Sequence, residues 1–209
     1  MDATLLSLAR DAPGFMPEQE GLALHDAALR AARRGPLLEI GSYCGKSTVY
    51  LGAAARACGS VVFTVDHHRG SEENQPGELY HDGRFDDPHT GGVDTLPCFR
   101  RTITVAGLDD CVIAVIGRSA AVARHWGTPL GLVFIDGGHT DSAAQSDYEG
   151  WAPHLAGGGL LVIHDVFADP AAGGQAPYRV WVRALGSGAF REESRCGSLQ
   201  VLRRVGDGI

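Results

Sequence analysis

Residues 37–48 read LLEIGSYCGKST, and no other stretch constrains the fold as strongly. Leu37, Leu38 and Ile40 form a short apolar run that stops at Gly41. A run of that length bounded by glycine predicts a buried strand over residues 36–40. Gly41 and Gly45 then permit a tight turn, and Lys46 with Ser47 opens a helix over residues 46–58, ended by Gly59. A strand, a glycine turn and a helix N-terminus in that order let a ligand approach the backbone and meet free N–H groups. Spacing excludes two nucleotide motifs. A Walker A loop has four residues between its first glycine and Gly-Lys-Ser, whereas three separate Gly41 from Gly45. A dinucleotide fingerprint needs Gly-x-Gly-x-x-Gly, and Ser42-Tyr43 breaks it. What remains is an acid, one residue, glycine, three residues, glycine: Glu39, Gly41 and Gly45. Taken alone, this pattern also fits an ordinary strand–turn–helix junction.

The rest of the chain continues the alternation. Residues 17–34 predict an amphipathic helix, with Leu22, Leu24, Ala28 and Leu29 on or near one face. Residues 61–65, VVFTV, predict a second strand ending on Asp66, 25 positions after Gly41. An acid at that strand tip can hold both hydroxyls of a ribose; a solvated strand-end acid is the plainer alternative. Residues 67–97 have no clear period and carry four of the nine histidines, His67, His68, His81 and His89. A loop of about thirty residues in a compact domain is typically a functional lid or disordered. Because it leaves the end of strand two, it is read here as an acceptor-binding lid.

A helix follows over residues 95–106, then a third strand over 111–116. Ser119 is placed to cap a helix over 120–126. The fourth strand, 130–135, ends in Asp136-Gly137-Gly138-His139, and a helix over 141–155 is expected to stop at the glycines 157–159. The fifth strand, 160–163, ends in His164-Asp165, and a last helix spans 176–185. Residues 190–193 and 198–203 then read as a hairpin turning at Gly197. The pattern predicts a single α/β domain over residues 1–209: a mostly parallel seven-stranded sheet with helices on both faces and a C-terminal antiparallel hairpin.

In open α/β sheets ligands bind beyond the carboxyl ends of the strands, where Glu39, Asp66, Asp136 and His164-Asp165 all stand. One crossover helix joins strands four and five, so they are expected to be neighbours, about 4.8 Å apart. Asp136 and Asp165 can then converge on one hard cation such as Mg²⁺. His164 is a candidate third ligand, although imidazole suits softer ions. Capping of the following segments is the competing role for both acids. His139, three residues past Asp136, could face the same space.

Composition narrows the partners. The 209 residues carry a net charge of -7, so no basic face for nucleic acid is expected. The five cysteines form no Cys-x-x-Cys pair, which argues against a disulfide framework or structural zinc and for a reducing, cytoplasmic compartment. No secretory signal is expected at the N-terminus, and no apolar run reaches membrane-spanning length. The sequence leaves homo-oligomerisation open.

The Glu39-Gly41-Gly45 turn resembles motif I of the class I S-adenosylmethionine (SAM)-dependent methyltransferases. Asp136-Gly-Gly-His139-Thr140, a helix, a triple glycine and Leu-Leu-Val-Ile-His-Asp together resemble the metal-dependent O-methyltransferases that act on sugars. The likeness covers residues 37–166 and implies the Rossmann-like class I methyltransferase fold. It implies SAM as cofactor, with Glu39, Gly41, Ser42, Gly45, Ser47, Asp66, Ser119 and Asp136 around it. It further implies Mg²⁺ or another divalent cation on Asp136 and Asp165 with His164 as the third donor, and His139 as general base. Many relatives have an acid where His164 stands, and residues 67–97 do not align with the family. The implied acceptor is a sugar hydroxyl, on an oligosaccharide or a small molecule. A catechol-like acceptor and a non-catalytic cofactor-binding scaffold are the alternatives. The polar lid residues Glu72, Glu73, Asn74, Gln75 and Asp82 favour a sugar, and the intact Asp136, His139 and Asp165 set disfavours the scaffold.

Overall fold

The run at 37–40 forms strand β1 (Leu37–Ile40), every residue of it buried. It is buried because it lies centrally in a seven-stranded sheet of the computed structural model, which describes residues 1–209. Its neighbours are β2 (Val62–Asp66) on one side and β6 (Leu130–Ile135) on the other, both parallel to it. Outward from β2 lies the edge strand β5 (Val112–Ile116), with Ile113 and Ile116 exposed. Outward from β6 lie β7 (Leu155–Ile163), β9 (Leu199–Arg204) and β8 (Phe190–Cys196), the last two antiparallel. The order is β5-β2-β1-β6-β7-β9-β8.

Alternating side chains divide the core in two. Leu37, Leu132, Phe134, Leu160 and Val162 face one layer of helices: α1 (Ala3–Asp11), α2 (Glu18–Ala31), α3 (Lys46–Cys58) and α4 (Leu96–Val105). Leu38, Ile40, Val133, Ile135, Leu161 and Ile163 face the other: α5 (Ser119–Ala123), α6 (Asp141–Trp151) and α7 (Ala176–Gly186). No helix is long and apolar enough to cross a membrane.

The structure corrects several boundaries. Helix α1 was not foreseen; Asp2 caps it, its carboxylate accepting from the N–H groups of Thr4 and Leu5. Helix α6 ends at Trp151, and the glycines 157–159 lie inside β7 rather than stopping a helix. Pro153 sits in a 3₁₀ turn that ends the helical run, and Leu155 already pairs with Leu130. Gly159 is needed there because a Cβ would stand 3.0 Å from the Gly131 carbonyl oxygen of the neighbouring strand. The lid has local order: two 3₁₀ turns, Glu72–Asn74 and Gly83–Phe85, and a two-residue ladder between β3 (Asp86–Asp87) and β4 (Gly92–Val93). Helix α5 is short, and Ser119 is its first residue; Arg118 holds the cap position and Ser119 makes no capping bond.

Candidate active site

The glycine turn after β1 is fixed from below and from the side. Glu39 shares a face with Leu37 and so points under α3, fully buried. Its two carboxylate oxygens accept from Ser47 Oγ and Thr48 Oγ1, each at 2.6 Å. Burial pushes its carboxyl up to about 7 against these hydroxyls, which pull it down. Glu39 and Ser47, expected to face a cofactor, thus spend their polar atoms on each other beneath the turn. Gly41 has φ +84°, and a Cβ on it would strike the carbonyl oxygen of Asp136. The turn and the end of β6 are therefore in backbone contact, which only glycine allows.

Asp66, at the tip of β2, closes the turn. One of its oxygens accepts from the N–H groups of Ser42 and Tyr43 at 3.0 and 2.9 Å, the other from His68 N–H at 2.7 Å. Tyr43 and His68 both have positive φ, 46° and 56°, so the carboxylate holds two strained residues. Ser42 Oγ is buried and without a partner. At the next strand pair, Ser119 Oγ accepts from Trp151 Nε1 at 2.8 Å, linking α5 to α6.

Strands β6 and β7 are adjacent, as the crossover predicts, and Ile135 pairs with Ile163. Asp136, one residue past β6, and Asp165, two residues past β7, meet beyond the sheet. Asp165 has φ +55°, which turns its carboxylate back toward β6. Donor atoms of Asp136, His139 and Asp165 lie within 4.8 Å of one another. His139 Nε2 is 3.2 Å from Asp165 Oδ2, and its Nδ1 is 3.3 Å from Glu73 Oε2 of the lid. The hydrogen bond to Asp165 leads the effects that push His139 up to about 9, against burial. The same contacts hold Asp165 far below the usual carboxylate range despite its own burial.

His164 reaches the same two aspartates from the other side. Following Val162 by two, it lies on the α2 face of the sheet, 4% exposed. Its Nε2 is 2.6 Å from Glu20 Oε2, and its Nδ1 is 3.2 Å from Asp136 and 3.3 Å from Asp165. Burial opposes its charge, but Asp136 and then the bonds to Asp165 and Glu20 prevail, pushing it up to about 12. Both histidines thus reach the two aspartates, His139 from the start of α6 and His164 from the α2 face of the sheet. Sequence reading missed both Glu20 and Glu73. Nothing local marks Glu20, since it lies 144 positions from His164 on a helix. Glu73 was legible only as one of several lid acids.

The two carboxylates suit a hard divalent cation such as Mg²⁺ or Mn²⁺, with the His139 imidazole beside them. The glycine turn, with an unpartnered buried hydroxyl and an acid at the second strand tip, fits a nucleoside-bearing ligand.

A parallel sheet of this order, with its antiparallel hairpin at one edge and this turn after β1, is the Rossmann-like fold of the class I methyltransferases. Solved structures share it. TomG, the O-methyltransferase of Streptomyces achromogenes involved in tomaymycin synthesis, solved with SAM, matches at TM-score 0.66 and 18% identity, over 99% of this chain and 91% of its own. The O-methyltransferase of Bacillus cereus, solved with S-adenosylhomocysteine (SAH), matches at TM-score 0.65 and 18% identity, over 99% and 92%. The SAH-bound methyltransferase PaMTH1 of Podospora anserina matches at TM-score 0.70 and 15% identity, over 99% and 89%. The family model Methyltransf_24, a methyltransferase domain, matches residues 38–166, more than half of the chain. The chain belongs to that family and is a SAM-dependent methyltransferase.

Proposed function

We propose that this protein transfers a methyl group to an acceptor hydroxyl, with a divalent cation at Asp136 and Asp165. The observation that carries this reading is the convergence of Asp136, His139 and Asp165 donor atoms within 4.8 Å, beside the glycine turn. When bound, SAM supplies an electrophilic methyl group, and a divalent cation lowers the acceptor hydroxyl's pKa. The chain's residues do the rest. Asp66 and the turn orient the adenosine end, Asp136 and Asp165 hold the cation, and His139 Nε2 takes the hydroxyl proton. Aligning oxygen, methyl carbon and sulfur supplies much of the remaining acceleration.

The acceptor is proposed to be a sugar hydroxyl, on the strength of the sequence resemblance and the polar lid. A second reading, a catechol-like acceptor, is favoured by a specific observation. Four rings from three segments gather at the lid: Phe15 lies 5.8 Å from Tyr43 and 5.3 Å from Tyr80, and Tyr43 lies 5.5 Å from Phe85. Asn74 and Gln75 meanwhile spend their side chains on the lid's own backbone and Ser71. Methyl transfer from SAM to methyl α-rhamnopyranoside and to 3,4-dihydroxybenzoate, each with Mg²⁺ and with excess EDTA, tests the reading. Transfer to the glycoside that stops in EDTA supports the first acceptor, and transfer to the catechol alone supports the second. Undiminished transfer in EDTA would remove the cation from the mechanism.

A further inference from the structure

The first turn of the lid is held by its own hydrogen bonds and delivers one acid to the site. Ser71 N–H and Oγ donate to Asn74 Oδ1 at 2.9 and 3.0 Å. Gln75 Nε2 donates to the carbonyls of Arg69 and Ser71, each at 2.9 Å. Tyr80 N–H donates to the Glu73 carbonyl at 3.0 Å. These bonds brace the backbone around Glu73 and leave its side chain to reach out of the lid. Its Oε2 stands 3.3 Å from His139 Nδ1, and the opposite ring nitrogen stands 3.2 Å from Asp165 Oδ2. The imidazole at the start of α6 is thus clamped between a lid carboxylate and a strand-end carboxylate.

We infer that Glu73 is a positioning residue that latches the lid to His139 and fixes the imidazole with Nε2 toward Asp136 and Asp165. Glu73 accepts from Nδ1–H, which fixes the ring orientation and directs Nε2 at Asp165, the part an outer carboxylate plays for a working histidine. Lid closure and orientation of the base then become one event, so that the base is aligned when the acceptor space is covered. The inference rests on the assignment of His139 as the base, but the latch can be tested without turnover.

The test uses the full chain labelled with ¹⁵N-histidine, free of cofactor and metal, with the His139 ring signal identified by its loss in His139→Gln. In Glu73→Ala the His139 Nδ1–H signal should shift or vanish while the other histidine signals stay. Lid amides at 71–80 should exchange about tenfold faster or more, the size of one lost charge-assisted hydrogen bond in a local opening equilibrium. Glu73→Gln, which keeps an accepting oxygen, should restore most of that protection. An unmoved His139 signal in Glu73→Ala, or lid exchange equal to wild type, overturns the latch. Because neither readout involves SAM or an acceptor, failure of methyl transfer would count against the proposed function and leave the latch standing.

Discussion

Replacing Glu20 should destabilise the fold by breaking one side of a buried ion pair. Glu20, His164 and Ser198 are 6%, 4% and 8% exposed. Glu20 Oε2 lies 2.6 Å from His164 Nε2, and Oε1 accepts from Ser198 N–H at 2.8 Å. Alanine at position 20 would leave a buried imidazolium and a buried N–H without these partners. Breaking one side of a buried ion pair costs about 3–5 kcal/mol. For a chain of this size that corresponds to a Tm lowered by roughly 6–20 °C. Glu20→Gln should cost less, about 1.5–3 kcal/mol, because one charge-assisted bond is lost but an acceptor remains. The sign of the pH dependence follows from His164, whose value rises from 6.5 to about 12 on folding. The stabilisation is fully present below about pH 6.5 and is lost as pH rises through about 12. Calorimetric unfolding of wild type, Glu20→Ala, His164→Ala and the double variant at pH 6, in chelator, measures it. The double variant should be less destabilised than the sum of the singles. A Glu20→Ala protein within about 1 kcal/mol of wild type, or additive singles, would refute the argument, since breaking one side of a buried pair costs more than that.

Gly41→Ala should lower stability by at least about 1–2 kcal/mol, from the left-handed backbone alone, and disturb Asp136 through its carbonyl; urea unfolding and Mn²⁺ titration read the two effects. Glu39→Gln should remove a pH dependence: Glu39 rises from 4.5 to about 7 on folding, so its contribution is full below pH 4.5 and is lost as pH rises through 7. Wild type should lose about 3 kcal/mol relative to the glutamine variant over that window, and equal Tm-versus-pH curves would contradict it. Asp66→Ala should loosen the turn through Ser42, Tyr43 and His68 and weaken SAH binding in calorimetry, by about 1.5–3 kcal/mol per charge-assisted bond lost. His139→Ala should leave SAH affinity near wild type and cut turnover by about 10²–10⁴-fold; near-normal turnover would remove His139 from the role of base.

The sequence determined the sheet and its direction by itself. Each core strand is a run of apolar residues bounded by glycine or an acid, and both signals are local. Gly41, Asp66, Asp136 and Asp165 could be assigned to strand ends for the same reason, and a parallel sheet brings its carboxyl ends to one rim. What the tertiary structure decided is where each polar atom is spent. Glu39 looks like a ligand residue in sequence, but the two-residue period sends it under α3 to Ser47 and Thr48. The same period turns His164 to α2 and Glu20, while the left-handed backbone of Asp165 turns that carboxylate toward His139. Glu20 and Glu73 reach their partners across 144 and 66 positions. Neither contact leaves a trace in local spacing, because packing of distant elements, not periodicity, brings them together. The glycines 157–159 mark the same limit: they read as a helix stop, and only the approach of Gly131 shows that Gly159 clears space inside a sheet.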